Sequence, residues 1–236
     1  FHLRPDAPLT VRVELAEDLS LDEVRERIDA IDDAVLALLH DRAHVVEHVG
    51  RLKREGGGTG ANSAFRPARE VAMLRSLYAR TRDPLTFTTV AAVWREIISG
   101  FTAAQVSLPI KTMAETAILA RETFGAQALI SLAPSPAECL SAVTRTPGTV
   151  ALLPADGIDW RSVAESGGKI VAAAPFVGTE IEAWCVTLGE PGESGEDMTL
   201  AMAPDGTIRH IPGIHTDLAD ETFIGAYPVP LKTGRS

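Results

Sequence analysis

Arg42 lies in a stripe of apolar residues in which a charged side chain is unexpected. The stripe recurs in alternating steps of three and four residues, the spacing of one face of an α-helix, at Ile31, Val35, Leu38, Val45, Val49 and Leu52. Arg42 occupies the step between Leu38 and Val45. A buried guanidinium is costly unless an anion meets it. The sequence therefore predicts an anionic partner for Arg42, which is either a carboxylate of a neighbouring helix or a ligand.

Further polar side chains share this register or lie at the ends of two shorter predicted helices. Lys53 follows Arg42 by eleven residues, or three helical turns, and Arg25 precedes it by 17 residues on a flanking position. The third predicted helix ends with Gln105, and the second begins with Arg66, Arg69 and Glu70. Several cations, one carboxylate and one amide suit a small dianionic ligand. For Arg42 and Lys53 alone, a structural ion pair is the more common arrangement, but the other polar residues favour a ligand.

Three helices are predicted between residues 20 and 106. The heptad register begins at Leu21 and reaches Leu52, with a Ser20-x-x-Glu23 capping box before it and a glycine-rich turn after it. The second helix covers residues 67–81, and the third begins after Asp83-Pro84. Two short helices cannot cover the whole of a long apolar seam. We therefore expect a helical dimer.

The chain changes character near residue 110. Helical patterns at residues 112–124 and 136–145 alternate with short apolar runs that end in Gly, Pro or Asp, which is typical of strands: "AQALISLAP", "GTVALLPADG", "GKIVAAAPF", "EAWCVTLGE" and "MTLAMAP". This alternation predicts a small α/β domain over residues 110–236, after a helical domain at 20–108 and an N-terminal arm at 1–19. We interpret "GEPGESGED", residues 189–197, as an acidic solvated hairpin, with a ligand loop as the alternative.

Composition excludes several classes of function. The formal net charge is −10, and all of the excess acid lies outside residues 21–105, which argues against nucleic-acid binding. No apolar run approaches the roughly 20 residues that cross a bilayer, so we expect no membrane partner. Cys139 and Cys185 match neither a disulfide framework nor a metal cluster, and we expect a cytoplasmic location.

Three histidines recur every four residues on one face of the long helix: His40, His44 and His48. This spacing is compatible with zinc. No carboxylate or cysteine completes such a site, so we interpret the histidines as a solvated face and expect no metal or cofactor.

Three stretches, taken together, resemble the all-helical class of chorismate mutases over residues 21–106. They are "LDEVRERIDAIDDAVLALLHDRAHVVEHVGRLK", "RPARE" and "VWREIISGFTAAQ", in this order and spacing. The resemblance implies an intertwined homodimer of three-helix chains with two active sites, each built from both chains. It implies conversion of chorismate to prephenate, for phenylalanine and tyrosine biosynthesis, without a cofactor.

The resemblance also implies a role for each polar residue. Arg25 of the partner chain and Arg42 would hold the substrate carboxylates, with Arg69 near the same site. Lys53 and Gln105 would donate to the ether oxygen, and Glu70 would meet the region of the ring hydroxyl. Two positions depart from the family pattern, because Arg66 stands where an aspartate is often found and Phe101 where a serine contacts a carboxylate.

Two alternative functions follow from these departures. One is an isochorismate pyruvate lyase, since the same anion pocket would serve that substrate. The other is a catalytically weak homologue that acts as a ligand sensor or as a partner of another protein. An aromatic amino acid is the effector that the resemblance suggests.

The C-terminal part resembles pieces of a prephenate dehydratase, in "ETAILARETFGAQA", "SPAECLSAVTRTPGTVALLPADGIDW" and "IVAAAPF". Where that family shows an Asn-Ser pair, this chain has Ala155-Asp156-Gly157, and where it shows Thr-Arg-Phe, this chain has Glu182-Ala183-Trp184. We therefore expect a degenerate domain without dehydratase activity, which binds a regulator or braces the dimer.

Overall fold

The computed structural model describes residues 19–55 and 65–233, with residues 53–55 described by their backbone alone. The predicted arm up to residue 18 and the glycine-rich turn at 56–58 lie outside the described residues, and so does the side chain of Lys53. The chain divides into two compact units, residues 1–46 and 47–236.

Three α-helices form the first part of the described chain: α1 at Leu21–Glu55, α2 at Pro67–Arg80 and α3 at Phe87–Gln105. The predicted capping box is confirmed, because the backbone N–H and the hydroxyl of Ser20 both donate to Glu23 Oε2, at 2.8 and 2.7 Å. Proline at the first position of α2 and the Thr86 cap of α3 explain where those two helices begin.

The apolar stripe of α1 is exposed throughout the first unit. Six large side chains there each expose between 44% and 65% of their surface: Leu21, Ile28, Ile31, Val35, Leu38 and Val45. No described residue of the first unit buries any of the six. An amphipathic helix of 35 residues thus leaves its apolar face open to solvent.

The second unit contains an eight-stranded mixed sheet with the order β2-β1-β3-β5-β4-β8-β6-β7. Its strands are β1 Pro109–Thr112, β2 Leu129–Leu132, β3 Val150–Pro154, β4 Lys169–Ala174, β5 Ala183–Thr187, β6 Asp197–Met202, β7 Ile208–Pro212 and β8 Thr222–Pro228. Strand β1 pairs in parallel with β2 and β3, and β5 runs antiparallel to both β3 and β4. The five predicted strand runs are confirmed, whereas β1, β7 and β8 were not predicted.

Helices lie on both faces of this sheet. They are α4 at Ala117–Phe124, which follows a 3-10 turn, α5 at Pro136–Arg145 and α6 at Trp160–Glu165. The first two match predicted helices, and α6 was not predicted. A helical N-terminal segment followed by a C-terminal mixed sheet therefore agrees with the predicted fold class at that level of detail.

Alternate residues of the central strands belong to two different hydrophobic cores, one on each face of the sheet. In β3, Val150 and Leu152 belong to one core, and Ala151 and Leu153 belong to the other. Helices α5 and α6 pack on the second core. The first core contains buried residues of α2 and α3, of the sheet and of the segment after β4: Val71, Leu74, Leu77, Phe87, Val90, Ala91, Ile110, Val171 and Phe176. Helices α2 and α3 thus share a core with the C-terminal strands, and the predicted domain boundary near residue 109 stays a prediction.

The acidic segment at residues 189–197 is not a hairpin, which corrects the sequence interpretation. It joins β5 to β6, and these two strands do not pair with each other. The segment is also held by α2, because Arg75 donates to the carbonyl oxygens of Ser194, Glu196 and Val229. Alternation alone could not reveal this arginine contact, which joins residues more than 100 positions apart.

Candidate functional site

Two of the predicted site residues lie in the first unit, on α1. Arg25 is exposed and forms an ion pair with Asp22 Oδ1 at 3.0 Å, one helical turn earlier. Arg42 is partly buried. The side chain of Lys53 lies outside the described residues, so its predicted place beside Arg42 stays a prediction.

The other predicted residues lie on α2 and α3, in the second unit. Arg66 is the residue before α2, and Arg69 and Glu70 lie in its first turn; both arginines are exposed and Glu70 is partly buried. Gln105 is the last residue of α3, where its Nε2 donates to the carbonyl of Phe101 at 3.1 Å. The structure therefore brings Arg66, Arg69 and Glu70 together by helix geometry. Their convergence with Arg25 and Arg42 stays a prediction.

Glu70 lines a cavity of about 360 Å³ within the second unit, which we call the Glu70 cavity. Helix α3 contributes Arg95, Ile98 and Ser99 to its wall, and the residues after β4 contribute Phe176. The cavity thus lies between the mutually packed helices α2 and α3 and the C-terminal sheet. Sequence reasoning did not place Glu70 there.

Burial raises the pKa of Glu70 from 4.5 to about 7. Loss of hydration is the cause, and within the described part of the chain no hydrogen bond or ion pair offsets it at the carboxylate. Glu70 is therefore partly protonated near neutral pH, where it can both donate and accept a hydrogen bond. A signal was present in the sequence: Glu70 lies four and seven residues before Leu74 and Leu77, on the same face of α2.

The remaining chemically active side chains are less suited to a site. Cys139 and Cys185 are buried thiols, and burial raises both of their pKa values, that of Cys139 to about 11. Trp184 is buried in an aromatic cluster with Trp160 and Tyr227, at 5.7 and 5.0 Å between ring centroids. Cys185 and Trp184 are thus core residues.

Two kinds of feature are absent from the described residues. No group of three or more histidine, cysteine, aspartate and glutamate side chains there has an arrangement that could hold a metal ion. None of the helices that the structure describes is both long enough and apolar enough to cross a membrane.

Comparison with protein families matches residues 24–106 to the family described as chorismate mutase type II. This segment, which contains α2, α3 and nearly all of α1, is therefore a chorismate mutase type II domain. It carries every predicted site residue, from Arg25 to Gln105.

Three curated proteins, each named bifunctional chorismate mutase/prephenate dehydratase, are similar in sequence to part of this chain. The Neisseria gonorrhoeae protein is 41% identical over 86 residues, which cover 36% of this chain and 22% of that protein. The Pseudomonas aeruginosa protein is 33% identical over 97 residues, which cover 41% of this chain and 27% of that protein. The Stutzerimonas stutzeri protein is 30% identical over 97 residues, with the same coverage.

The chain thus spans about a quarter of the length of these relatives. No solved structure matches the chain significantly. The comparisons support a chorismate mutase function, and they leave the dehydratase-like interpretation of the C-terminal region as a prediction.

Proposed function

We propose that this protein is a chorismate mutase that rearranges chorismate to prephenate in aromatic amino acid biosynthesis. The observation that carries the proposal is the family match over residues 24–106. That segment contains the cations, carboxylate and amide that the reaction calls for, in the expected order: Arg25, Arg42, Lys53, Arg66, Arg69, Glu70 and Gln105.

The rearrangement is intramolecular, so it needs no nucleophile, metal or cofactor. Catalysis comes from holding the enolpyruvyl side chain over the ring and from stabilising the negative charge that grows on the ether oxygen as the C–O bond lengthens. We assign the first task to Arg25, Arg42 and Arg69, which can bind carboxylates through two N–H groups each. Lys53 and Gln105 donate to the ether oxygen. A partly protonated Glu70 suits a contact with the ring hydroxyl.

The active form in this proposal is a homodimer. Its support is the exposed apolar stripe of α1, which extends along a helix roughly 50 Å long. A second copy of the same helix carries a matching stripe, so an isologous pair would cover both. Each active site then takes Arg25 from one chain and the remaining residues from the other.

We further propose an N-terminal arm at residues 1–19, a mutase domain at 20–108 and a degenerate dehydratase-like domain at 110–236. The acidic excess outside the mutase domain supports a small-molecule enzyme that does not bind nucleic acid. The proposal also includes a cytoplasmic location and no membrane partner. We expect no dehydratase activity, because Glu182-Ala183-Trp184 replaces the expected Thr-Arg-Phe. An aromatic amino acid is the effector to test.

The rival activity is elimination of pyruvate from isochorismate. Arg66 favours it, since this exposed cation lies one turn before Glu70, where the family often has an aspartate. A second rival is a weak homologue that binds a ligand or partner and turns over chorismate barely above background.

One assay separates these functions. Purified protein is incubated with chorismate or with isochorismate, and the products are identified chromatographically. Formation of prephenate supports the proposal, whereas release of pyruvate and salicylate from isochorismate alone would establish the lyase. Absence of both reactions, in protein shown to be folded, would leave the sensor function. For variants of the proposed site residues on α1, Arg51→Ala is a suitable control, because Arg51 lies on α1 and is exposed in an ion pair with Glu47.

A further inference from the structure

Helix α3 is bound at two points by the turn that joins α4 to β2. Glu96 Oε2 accepts a hydrogen bond from the backbone N–H of Ala126 at 3.0 Å, and Ser99 Oγ accepts one from the N–H of Gln127 at 3.2 Å. Glu96 and Ser99 are three residues apart, so they are neighbours on the surface of the helix. Residues 125–127, which we call the α4–β2 turn, therefore bind one face of α3.

The α4–β2 turn is shaped for this close contact. Gly125 has a φ of +79°, and a Cβ placed there would lie 2.6 Å from the Cβ of Ser99, which is closer than two such atoms can approach. Only glycine therefore allows the turn to lie so near the helix. Arg121 of α4 fixes the same turn, because it donates to the carbonyl oxygens of Gly125, Ala126 and Ala128, at 3.2, 2.8 and 3.3 Å.

Ser99 is a polar residue in a buried position, with 7% of its surface exposed. Buried hydroxyls are normally hydrogen-bonded, and here the bond is the one to the turn. The next residue, Gly100, would meet nothing within 4 Å of an added Cβ beyond its own part of the helix, so packing in the described chain does not require glycine there. An interior glycine weakens a helix relative to alanine. The end of α3 therefore depends on contacts that hold it from outside.

Gln105 lies at this weak end of α3, as the last residue of the helix. Its Nε2 donates to the carbonyl oxygen of Phe101, so the last turn of the helix sets the direction of the amide. Before Gln105, Ser99 fixes the helix to the α4–β2 turn, and after it the chain enters the sheet at Pro109. The segment that carries the amide is thus anchored to the C-terminal sheet on both sides.

We propose that Glu96 and Ser99 are positioning residues of the mutase site. By binding the α4–β2 turn, they hold α3 so that the amide of Gln105 can donate to the ether oxygen. Neither residue contacts the substrate in this arrangement, and the C-terminal sheet becomes part of the scaffold of the site. The inference rests on the mutase function proposed above, because Gln105 has its catalytic role only in that reaction.

Steady-state kinetics of the full chain with chorismate test the proposal. Ser99→Ala should lower kcat about tenfold with little change in KM, because a small displacement of a catalytic group is costly in the transition state. Glu96→Ala should also lower kcat, whereas Glu96→Gln keeps an oxygen that can accept from Ala126 and should stay near the wild type. Glu165→Ala, at an exposed glutamate on α6, is the control and should leave both constants unchanged.

A double-mutant cycle separates positioning from a general loss of structure. If Ser99 acts through Gln105, Ser99→Ala lowers kcat in the wild type but not in Gln105→Ala, since the group to be positioned is then already absent. An equal loss in both backgrounds would overturn the proposal. Circular dichroism at the assay temperature shows whether each variant is folded. If Ser99→Ala does not fold, Glu96→Ala takes its place in the cycle, because the side chain of Glu96 is exposed.

Hydrogen exchange gives a second readout, which needs no substrate. In Ser99→Ala and Glu96→Ala, the backbone amides of residues 102–106 should exchange at least about fivefold faster than in the wild type, because the end of α3 loses its anchor. Unchanged exchange would overturn the anchoring. A wild-type protein that does not convert chorismate would refute the mutase function and the role of Gln105 with it. An active wild type whose kcat survives Ser99→Ala would refute only the positioning.

Discussion

Glu70 occupies an environment that disfavours its charged form. The described structure offers the carboxylate no partner, and burial raises its pKa from 4.5 to about 7. Ionisation of such a group in the folded protein lowers the free energy of unfolding. Catalytic and binding groups often have pKa values displaced in this way. The role proposed for Glu70, contact with a substrate hydroxyl, uses a carboxyl whose proton is easily gained or lost.

The first prediction concerns the pH dependence of stability. Below about pH 4.5, Glu70 is protonated in both the folded and the unfolded chain and contributes nothing. As pH rises to about 7, only the unfolded chain ionises freely, so stability is lost across this window and is then constant. Glu70→Gln removes the penalty, and at pH 8 we expect it to be up to about 3 kcal/mol more stable than the wild type.

Urea denaturation at pH 4.5 and pH 8, at one protein concentration, measures this difference. Near pH 4.5 the two proteins should differ by less than about 1 kcal/mol. Glu165→Gln is the matched control and should show no pH-dependent gain. A constant difference between Glu70→Gln and the wild type at both pH values would mean that burial does not raise the pKa.

The second prediction concerns Lys53. As the proposed donor to the ether oxygen, it interacts with charge that develops mainly in the transition state. Lys53→Ala should therefore lower kcat by about a hundredfold or more, with a smaller change in KM. Steady-state kinetics with chorismate measure both constants, and Arg51→Ala should stay near the wild type. Retention of most of the activity in Lys53→Ala would remove it from the mechanism.

At the level of elements, Arg75 connects α2 to the C-terminal sheet. Its guanidinium donates to three backbone carbonyls and to the hydroxyl of Ser194, and Nε lies 3.7 Å from Glu196 Oε2. The side chain is 17% exposed, so these bonds are partly shielded from water. Arg75 therefore holds in place the helix that carries Arg69 and Glu70.

Arg75→Ala is expected to destabilise the protein by about 3 kcal/mol, because it leaves several carbonyl groups without their donor. Arg75→Lys should lie between Ala and the wild type, since one ammonium cannot serve all these acceptors. Chemical denaturation gives the values. Arg80→Ala is the control on the same helix, because its single backbone contact is exposed. Equal stability of Arg75→Ala and Arg80→Ala would show that the link contributes nothing.

For α1, the fourth prediction tests whether sites are shared across the proposed dimer. Arg25→Ala and Lys53→Ala chains should each be nearly inactive alone. After subunit exchange at equal amounts, half of the dimers are mixed and each has one intact site, so about a quarter of the wild-type activity should return. Failure to recover activity, with exchange verified by labelled chains, would refute shared sites.

At the scale of the whole molecule, periodicity in the sequence predicted the helices and strands better than it predicted the contacts between them. The apolar spacing of α1, α2 and α3 and the runs of β2 to β6 are local signals. Strand β7 contains Arg209 and His210, both exposed, and α6 has only six residues, so neither gives a strong pattern. The cavity around Glu70 depends on Phe176 and Glu182, more than 100 residues away. No spacing rule reports such contacts.

The shared core gives a fifth prediction. From the sequence, residues 20–108 form a separate domain, but in the structure the buried side chains of α2 and α3 pack against the sheet. Deletion of residues 110–236 should expose Leu74, Val90 and Ala91, and we expect the fragment to lose its cooperative thermal unfolding. Circular dichroism melting compares it with the full chain. A sharp transition in the fragment would show that the helical domain folds alone.

The exposed stripe of α1 also has a consequence for the kinetic order of the reaction. If a second copy covers this stripe, the active species forms by a bimolecular step, and its amount varies with the square of the free-chain concentration when chains are scarce. The initial rate would then curve upward with added protein and become linear only above the dissociation constant. An enzyme of this kind is switched on by its own abundance, so a modest rise in expression would raise flux more than proportionally.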